Sequence, residues 1–231
     1  SAVSLQSILK TKPSKMYTLL SGFYKYMCQR DQYFVLILGL DNAGKTTFLE
    51  QTKTKFNKNY QGMNLAKITS TVGLNIGKID VGTSRLNFWD LGGQEELQSL
   101  WDKYYVESHA VIYIVDSSDR DRVEESKEAF EKMVMNDNLA GVPLMLLANK
   151  QDLEGCLKVT EVKTIFNDPL QVMGQRESWV QGVSALKGQV WVTVITLLNY
   201  FSDGVQEGID WLVEAIKRNS SSRPPQQKEI T

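Results

Sequence analysis

The feature that most constrains this chain is GLDNAGKT, Gly39 to Thr46, which overlaps the end of the apolar run YFVLILGL. It fits the pattern G-x-x-x-x-G-K-[ST] between a buried strand and a helix, which is typical of a phosphate-binding loop. Glycines let the backbone curl so that successive N–H groups face a phosphate, and the helix adds its positive N-terminal end. Lys45 would supply a charge to the β- and γ-phosphates, and Thr46 a hydroxyl to Mg²⁺. The residues predicted to hold the phosphates are Gly39, Asp41, Asn42, Ala43, Gly44, Lys45, Thr46 and Thr47.

A second motif, WDLGGQ from Trp89 to Gln94, lies at the end of a later predicted strand. Asp90 is a candidate to hold Mg²⁺ through water. The glycine pair lets a backbone N–H, that of Gly93, approach the γ-phosphate, and Gln94 can orient an attacking water. At this distance after a phosphate-binding loop, the motif predicts a site for nucleoside triphosphate hydrolysis with Gln94 as the catalytic residue.

A third motif, NKQD, follows the predicted strand PLMLLA. The Asp152 carboxylate can accept two hydrogen bonds from the N1 and N2 groups of guanine, which adenine cannot donate, so the motif predicts GTP rather than ATP. Asn149 and the aliphatic stem of Lys150 would brace the loop and cover the base. The short sequence SAL adds a second base-binding loop, in which the Ala185 N–H would meet the guanine O6 atom. Its residues are Ser184, Ala185 and Leu186.

The segment ITSTVGLN lies between the first two motifs. A threonine is needed there to close over Mg²⁺ as a nucleotide-sensitive switch. Thr71 is the first choice, with Thr69 and Ser70 as near competitors. No arginine is obviously placed to stabilise the transition state from within the chain, so hydrolysis should be slow and assisted by a partner.

The wider pattern favours one α/β domain of 231 residues, in which strands and helices mostly alternate. The first two strands after the phosphate-binding loop form a hairpin around Gly82, and the remainder predicts a mostly parallel sheet. A net charge of −1 gives no sign of nucleic-acid binding. Two distant cysteines suggest unpaired thiols, and no apolar run reaches the ~20 residues that a membrane span needs.

The segments around this domain are less regular. We expect residues 1–15 to be a disordered N-terminal extension, 16–30 an amphipathic helix, 31–219 the nucleotide-binding domain and 220–231 a disordered tail. The uncharged stretch 190–203 interrupts the domain between SAL and the last helix. It could extend that helix, form an irregular or strand-like surface excursion, or contact a partner or membrane. We expect its deletion to leave nucleotide affinity intact or to improve it.

Together, GLDNAGKTT and WDLGGQE resemble the Ras-like small GTPases and, within them, the ADP-ribosylation-factor (Arf) family. The resemblance covers residues 16–219 apart from the insertion. It implies an α/β P-loop NTPase fold, a Ras-like G domain whose mostly parallel six-stranded sheet is flanked by helices. It also implies a monomeric GTP/GDP switch that requires Mg²⁺. Leu74, Trp89 and Tyr104 match positions that contact effectors in the family; taken without the resemblance, the two aromatics would be ordinary core or surface residues.

The resemblance further implies an exchange factor, a GTPase-activating protein and Golgi effectors or tethers as partners. It places the protein in the cytoplasm, peripheral at the trans-Golgi membrane through the N-terminal helix. No glycine follows Met16, so myristoylation is not expected, and an amphipathic helix alone binds membranes weakly and reversibly. Three alternatives stay open: an N-terminal helix that is docked on the core, a nucleotide-binding adaptor with negligible hydrolysis, and an ATP-using P-loop enzyme.

Overall fold

The computed structural model describes residues 30–172, 176–187, 189–191 and 204–226. The predicted N-terminal extension 1–15 and all but the last residue of the predicted helix 16–30 lie outside these ranges.

A single mixed sheet forms the centre of the described chain, in the strand order β2-β3-β1-β4-β5-β6-β7. Its strands are β1 (Asp31–Leu38), β2 (Leu74–Val81), β3 (Ser84–Leu91), β4 (Ala110–Asp116), β5 (Leu144–Asn149), β6 (Ser178–Ser184) and β7 (Gln189–Trp191). β1 lies in parallel between β3 and β4, and β5 and β6 continue in parallel. The hairpin partner β2 and the last strand β7 are antiparallel to their neighbours. The predicted six-stranded, mostly parallel sheet is therefore confirmed, and β7 adds a seventh, three-residue strand at its edge.

Helices cover both faces of this sheet. They are α1 (Lys45–Phe56), α2 (Glu95–Gln98), α3 (Asp102–Tyr105), α4 (Val123–Val134), α5 (Val159–Ile165), α6 (Asn167–Val172) and α7 (Gly204–Arg218), with short 3-10 turns at Leu65–Lys67 and Asp137–Leu139. Among the residues that the structure describes, no helix is both long and apolar enough to cross a membrane.

Two hydrophobic clusters, one on each face of the sheet, explain why β1, β4 and β5 contain continuous apolar runs. Side chains alternate between the two sides of a strand. In β1, Val35 and Ile37 pack with α1 and α7 on one face of the sheet, whereas Leu36 and Leu38 pack with α4 and α5 on the other. Burial on both faces is the condition under which a parallel strand becomes a continuous apolar run. Because β1, β3, β4 and β5 run parallel to one another, their carboxyl ends and the loops that follow them lie at one edge of the sheet.

The uncharged insertion begins as a strand rather than as part of the last helix. Gln189–Trp191 forms β7, which pairs with Gly182–Ser184 of β6, and the described residues of helix α7 are Gly204–Arg218. The strand-like interpretation is therefore correct for residues 190 and 191, where β-branched and aromatic residues favour extended backbone. Residues 192–203 lie outside the described part of the chain.

The predicted disorder of the tail is wrong for residues 220–226. The Arg223 guanidinium donates to the carbonyls of Tyr105 at 3.0 Å and Ser108 at 2.6 Å, and the Gln226 N–H donates to Gln32 O at 3.0 Å. The Pro224 carbonyl lies 3.0 Å from His109 Nε2. Composition alone suggests disorder because the tail has few apolar residues, but carbonyls at the end of α3 supply the acceptors that order it.

Candidate nucleotide-binding site

The phosphate-binding loop has the strongly curved backbone that its sequence predicts. Gly39, Asn42 and Gly44 have φ angles of 134°, 60° and 91°, in the region that L-residues other than Asn and Asp rarely adopt. Any side chain at Gly39 would collide with the backbone of Ile114, and one at Gly44 with the Asn149 amide. Both glycines are therefore required by the close approach of β4 and β5, which fixes the loop against the sheet.

Lys45 is folded into this loop. Its Nζ atom donates to the carbonyls of Gly39 at 3.0 Å and Leu40 at 2.7 Å, and only 5% of the residue is exposed. Burial lowers the pKa of Lys45 to about 8, although the carboxylates of Asp90 and Asp41 oppose this shift. The hydrogen bonds of this buried ammonium to Gly39 and Leu40 go to neutral carbonyls, so a phosphate would stabilise it by supplying an anionic acceptor at hydrogen-bond distance.

Three hydroxyl and amide groups converge on Asp90 beside the start of helix α1. Thr46 Oγ1 donates to Asp90 Oδ2 at 2.7 Å and lies 2.7 Å from Thr71 Oγ1. Asn75 Nδ2 donates to the same carboxylate oxygen at 3.2 Å. Thr69 and Ser70 line the neighbouring cleft, but the Thr71 hydroxyl is the one in contact with Thr46. This geometry favours Thr71 as the switch threonine over its two competitors.

The second oxygen of Asp90 indicates what this cluster can hold. Asp90 is fully buried, and its Oδ1 atom has no hydrogen-bond partner among the described residues. Burial raises the pKa of Asp90, against the opposing effect of the hydrogen bonds from Thr46 and Asn75. A buried, unpaired carboxylate oxygen is costly unless a cation lies beside it, and oxygen ligands of this kind suit Mg²⁺. The residues Thr46, Thr71 and Asp90 therefore fit the magnesium ion that the sequence motifs imply.

A cleft of about 130 Å³ opens beside this cluster. Its lining residues are Asp41, Asn42, Gly44, Lys45, Thr46, Thr47, Ile68, Thr69, Ser70, Thr71 and Gly93. Gly93 lies against the phosphate-binding loop so closely that an added Cβ atom would be 2.5 Å from Asp41 N. Gln94 follows at the N-terminus of α2 with a half-buried side chain, and it is not among the residues that line the cleft.

Asn149 joins the phosphate-binding loop to the second base-binding loop. Its Nδ2 atom donates to Ala43 O at 2.7 Å, and its Oδ1 atom accepts from Ala185 N at 2.9 Å. The predicted bracing role of Asn149 thus has a geometric basis. The Ala185 N–H, which the sequence assigned to guanine O6, already has this partner, so a contact with the base would have to share the proton.

Lys150 and Asp152, the other two predicted base-binding residues of NKQD, each lie near an oppositely charged side chain. Lys150 has a φ angle of 63°, and its Nζ atom lies 2.5 Å from Asp116 Oδ2. The Asp152 side chain is 7% exposed, and its carboxylate lies 3.7 Å from Lys187 Nζ. Lys187 directly follows Ser184, Ala185 and Leu186, and sequence analysis missed it. The only signal was its position next to the SAL sequence.

The predicted effector residues lie along the hairpin and α3. Trp89 and Tyr104 are in edge contact, with ring centroids 5.4 Å apart. Leu74 is 37% exposed at the start of β2, and Ile76, two residues on, is 51% exposed and pairs with Trp89 across the hairpin. Residues two apart on a strand share a face, so Ile76 belongs to the same surface and could have been found from its spacing to Leu74.

Arg122 is a further residue that the sequence did not reveal. Its Nη2 atom donates to Asp41 Oδ1 at 2.7 Å, and its Nε atom donates to Glu125 at 2.9 Å. Hydrogen bonds to Glu125 and Asp41 raise the pKa of Arg122 above its usual value. An arginine therefore does lie beside the phosphate-binding loop, although two carboxylates hold it there. Its sequence separation of 81 residues from Asp41 hid this contact.

Comparisons with known proteins agree with this geometry. A model of the ADP-ribosylation factor family matches residues 19–216. ADP-ribosylation factor-related protein 1 of Bos taurus is 61% identical over 94% of this chain and 100% of that protein. The human protein of the same name is 60% identical with the same coverage, and ADP-ribosylation factor-like protein 3 of Saccharomyces cerevisiae is 41% identical over 91% of this chain and 98% of its own.

A solved structure supports the same assignment. The Arl6 BBS3 small GTPase from Trypanosoma brucei, with the bound nucleotide analogue GppNp, aligns with a TM-score of 0.64 and 31% identity. The alignment covers 81% of this chain and 98% of that one. Because the family model spans most of the chain and several relatives align over nearly their full length, the chain belongs to the ADP-ribosylation factor family of small GTPases, which are GTP-binding switches.

Proposed function

We propose that this chain binds GTP with Mg²⁺, hydrolyses it to GDP and regulates Golgi membrane traffic through the change between the two states. The observation that carries the proposal is the cluster of Thr46, Thr71 and Asp90 beside the phosphate-binding loop. A switch threonine reaches the metal position only when its segment has closed over the site, so this cluster links the presence of the nucleotide to the position of the segment.

Each residue of the site has a role that follows from its position. Lys45 would exchange the carbonyls of Gly39 and Leu40 for phosphate oxygens. Thr46, Thr71 and Asp90, the last through water, would hold the magnesium ion, which neutralises charge between the β- and γ-phosphates when bound. Gly93 would offer its N–H to the γ-phosphate.

The hydrolytic and base-binding roles rest on the remaining motif residues. Gln94 would accept a hydrogen bond from a water molecule and align its oxygen with the γ-phosphorus. Asp152 would accept the N1 and N2 protons of guanine while Lys150 covers the base. Arg122 is held by Asp41 and Glu125, so unassisted hydrolysis should be slow and should require an activating protein.

The surface formed by Leu74, Ile76, Trp89 and Tyr104 is where we propose that effectors bind. Exposed apolar residues are typical of partner-binding surfaces. On a strand that borders the Thr71 segment, their arrangement can differ between the GTP-bound and GDP-bound states. An exchange factor, an activating protein and Golgi tethers are the proposed partners, and the trans-Golgi membrane is the proposed location. This part of the proposal rests on the resemblance to the ADP-ribosylation factor family.

Nucleotide titration tests the biochemical proposal. Fluorescent GDP, GTP and ATP analogues are titrated in the presence of Mg²⁺, and single-turnover GTP hydrolysis is followed in the wild type and in Gln94→Leu. We expect guanine nucleotides to bind, ATP to bind far more weakly, and the variant to lose most of its hydrolysis. Tight ATP binding would exclude the GTP switch. Equal hydrolysis by the variant would refute the role of Gln94, and negligible hydrolysis by the wild type would leave a nucleotide-binding adaptor.

Microscopy tests the cellular proposal. Tagged Gln94→Leu should accumulate at trans-Golgi markers, whereas Thr46→Asn, which loses the magnesium-binding hydroxyl, should be dispersed. The same distribution for both variants would contradict nucleotide-dependent recruitment to the Golgi.

A further inference from the structure

Glu50 is a carboxylate in the middle of helix α1 that no nucleotide-binding motif accounts for. The residue is 1% exposed, which is unusual for an acid unless it has partners. Tyr60 Oη donates to its Oε2 atom at 2.7 Å, Met63 N donates to the same oxygen at 3.4 Å, and Lys53 forms an ion pair with Oε1. Burial raises the pKa of Glu50, but the hydrogen bonds from Lys53 and Tyr60 outweigh it, and the pKa lies below its usual value.

These partners attach a specific part of the chain to the helix. We use the term approach segment for residues 57–70, which connect the end of α1 to Thr71. Besides the bonds to Glu50, the ammonium of Lys53 lies 4.6 Å from the centre of the Tyr60 ring. An added Cβ atom at Gly62 would be 2.7 Å from Thr54 Oγ1, so the backbone there lies directly on the helix.

The contacts with the approach segment share one face of α1 with the magnesium cluster. Thr46 and Glu50 are four residues apart, and so are Glu50 and Thr54; residues at this spacing lie one above the other on a helix. Thr46 contacts Thr71 at one end of this face, and Glu50 contacts Tyr60 and Met63 further along it. The chain that leads to the switch threonine is therefore held at two points by a single rigid helix.

We propose that Glu50 and Tyr60 are positioning residues that hold the approach segment on helix α1 and so keep Thr71 at the magnesium site. This inference rests on the proposed GTP and Mg²⁺ function and names residues of the switch that its motifs do not include. Glu50 and Tyr60 act on the nucleotide only through Thr71.

The expected effect follows from the length of free chain. With the contacts at Tyr60 and Met63, the unattached chain before Thr71 begins at Met63. Without them it would begin at the end of α1, which roughly doubles its length. Doubling a loop disfavours its closure roughly threefold, and loss of a hydrogen bond to a buried charged group adds to this. We therefore expect release of a triphosphate analogue in Mg²⁺ to become roughly three- to tenfold faster.

Tyr60→Phe is the main test because it removes one hydroxyl and keeps the ring against Lys53. Tyr113→Phe is a matched control, since Tyr113 Oη donates a buried hydrogen bond of the same 2.7 Å length to Ser126 O, between β4 and α4. Glu50→Gln is a second variant that removes the charge. Dissociation of a fluorescent, non-hydrolysable GTP analogue is measured in millimolar Mg²⁺ and in excess EDTA, with thermal unfolding recorded for each variant.

We expect Tyr60→Phe and Glu50→Gln to accelerate release in Mg²⁺ and to match the wild type in EDTA, where Thr71 has no ion to hold. Tyr113→Phe should match the wild type in both conditions. Equal acceleration with and without Mg²⁺, or unchanged release by both test variants, would overturn the inference. If Mg²⁺ still slows release from the wild type, the proposed function is preserved. A wild type that does not retain the analogue would overturn both.

Discussion

A single methyl group at Gly93 should prevent the close approach of the WDLGGQ motif to the phosphate-binding loop. An added Cβ atom would lie 2.5 Å from Asp41 N and even nearer to Gly39 O and the Leu40 carbonyl carbon, whereas real Cβ atoms essentially never approach within 3.0 Å. The φ angle of Gly93 is not in the left-handed region, so alanine is excluded by contact and not by backbone conformation.

Neither side of this contact can easily move. On one side, the phosphate-binding loop is fixed by Asn149, which donates to Ala43 O at 2.7 Å. On the other side, Trp101 Nε1 donates to Gly92 O at 3.0 Å, and Gln98 Nε2 donates to Gly93 O at 3.2 Å. Forcing extra atoms into well-packed structure costs about 1–3 kcal/mol. Because both sides of this contact are backbone, which cannot rotate away as a side chain can, we expect a cost near the upper end of that range. A cost of about 2–3 kcal/mol corresponds to roughly 30- to 150-fold in affinity.

The assay is the ratio of the affinities for a triphosphate analogue and for GDP in Mg²⁺. Gly93→Ala should lower this ratio roughly 30-fold or more, because we propose that the Gly93 N–H binds the γ-phosphate, which GDP lacks. Gly208→Ala is the control, since a Cβ atom there meets nothing closer than 3.1 Å and lies in helix α7. A ratio within about threefold of the wild type in Gly93→Ala would refute the steric reasoning.

Three further predictions concern other parts of the molecule. Asp152→Asn should weaken GTP binding by several orders of magnitude and favour xanthine nucleotides, because the Asn amide N–H donors would face the guanine N1 and N2 donors. Competition binding with GTP and XTP measures this. Burial, aided by the Arg223 charge, lowers the pKa of His109 from 6.5, so the unfolded chain takes up a proton at higher pH than the folded one. Stability from this group is present above about pH 6.5 and is lost as the pH falls through the folded-state pKa, and His109→Asn should remove this dependence from urea unfolding curves. Deletion of residues 190–203 should leave GDP affinity unchanged, and a large loss would show that the insertion is part of the site.

The parts of the site that are contiguous in sequence could be predicted in detail. GLDNAGKT contains, within one loop, the residues that set the backbone geometry, the lysine and the threonine proposed to hold magnesium, and the strand before it and the helix after it fix its shape. The strands were equally visible because burial on both faces of the sheet leaves an uninterrupted apolar run. In both cases, local sequence and tertiary environment require the same residue types.

Contacts between distant segments could not be predicted in this way. Arg122 and Glu50 look like ordinary surface residues of charged helices until the fold places Asp41 and Tyr60 beside them. The partner of Ala185 was hidden for a related reason. Its N–H, predicted to donate to guanine, donates to Asn149 Oδ1, a residue 36 positions away in the sequence. The tail around Arg223 likewise depends on carbonyl groups that have no side-chain signature.

The short strand β7 changes which backbone groups the sheet leaves open to other chains. Without it, β6 would present its outer N–H and C=O groups at the edge, next to Ser184, which we propose lies in a base-binding loop. Exposed strand edges recruit other extended chains and can start aggregation. Pairing of Gly182–Ser184 with Gln189–Trp191 moves this edge to a strand of three residues, a poor template for a further strand. The insertion looks like an aggregation hazard in the sequence, but its first residues protect the backbone of β6. Slow amide hydrogen exchange at the carboxyl end of β6 should report that protection.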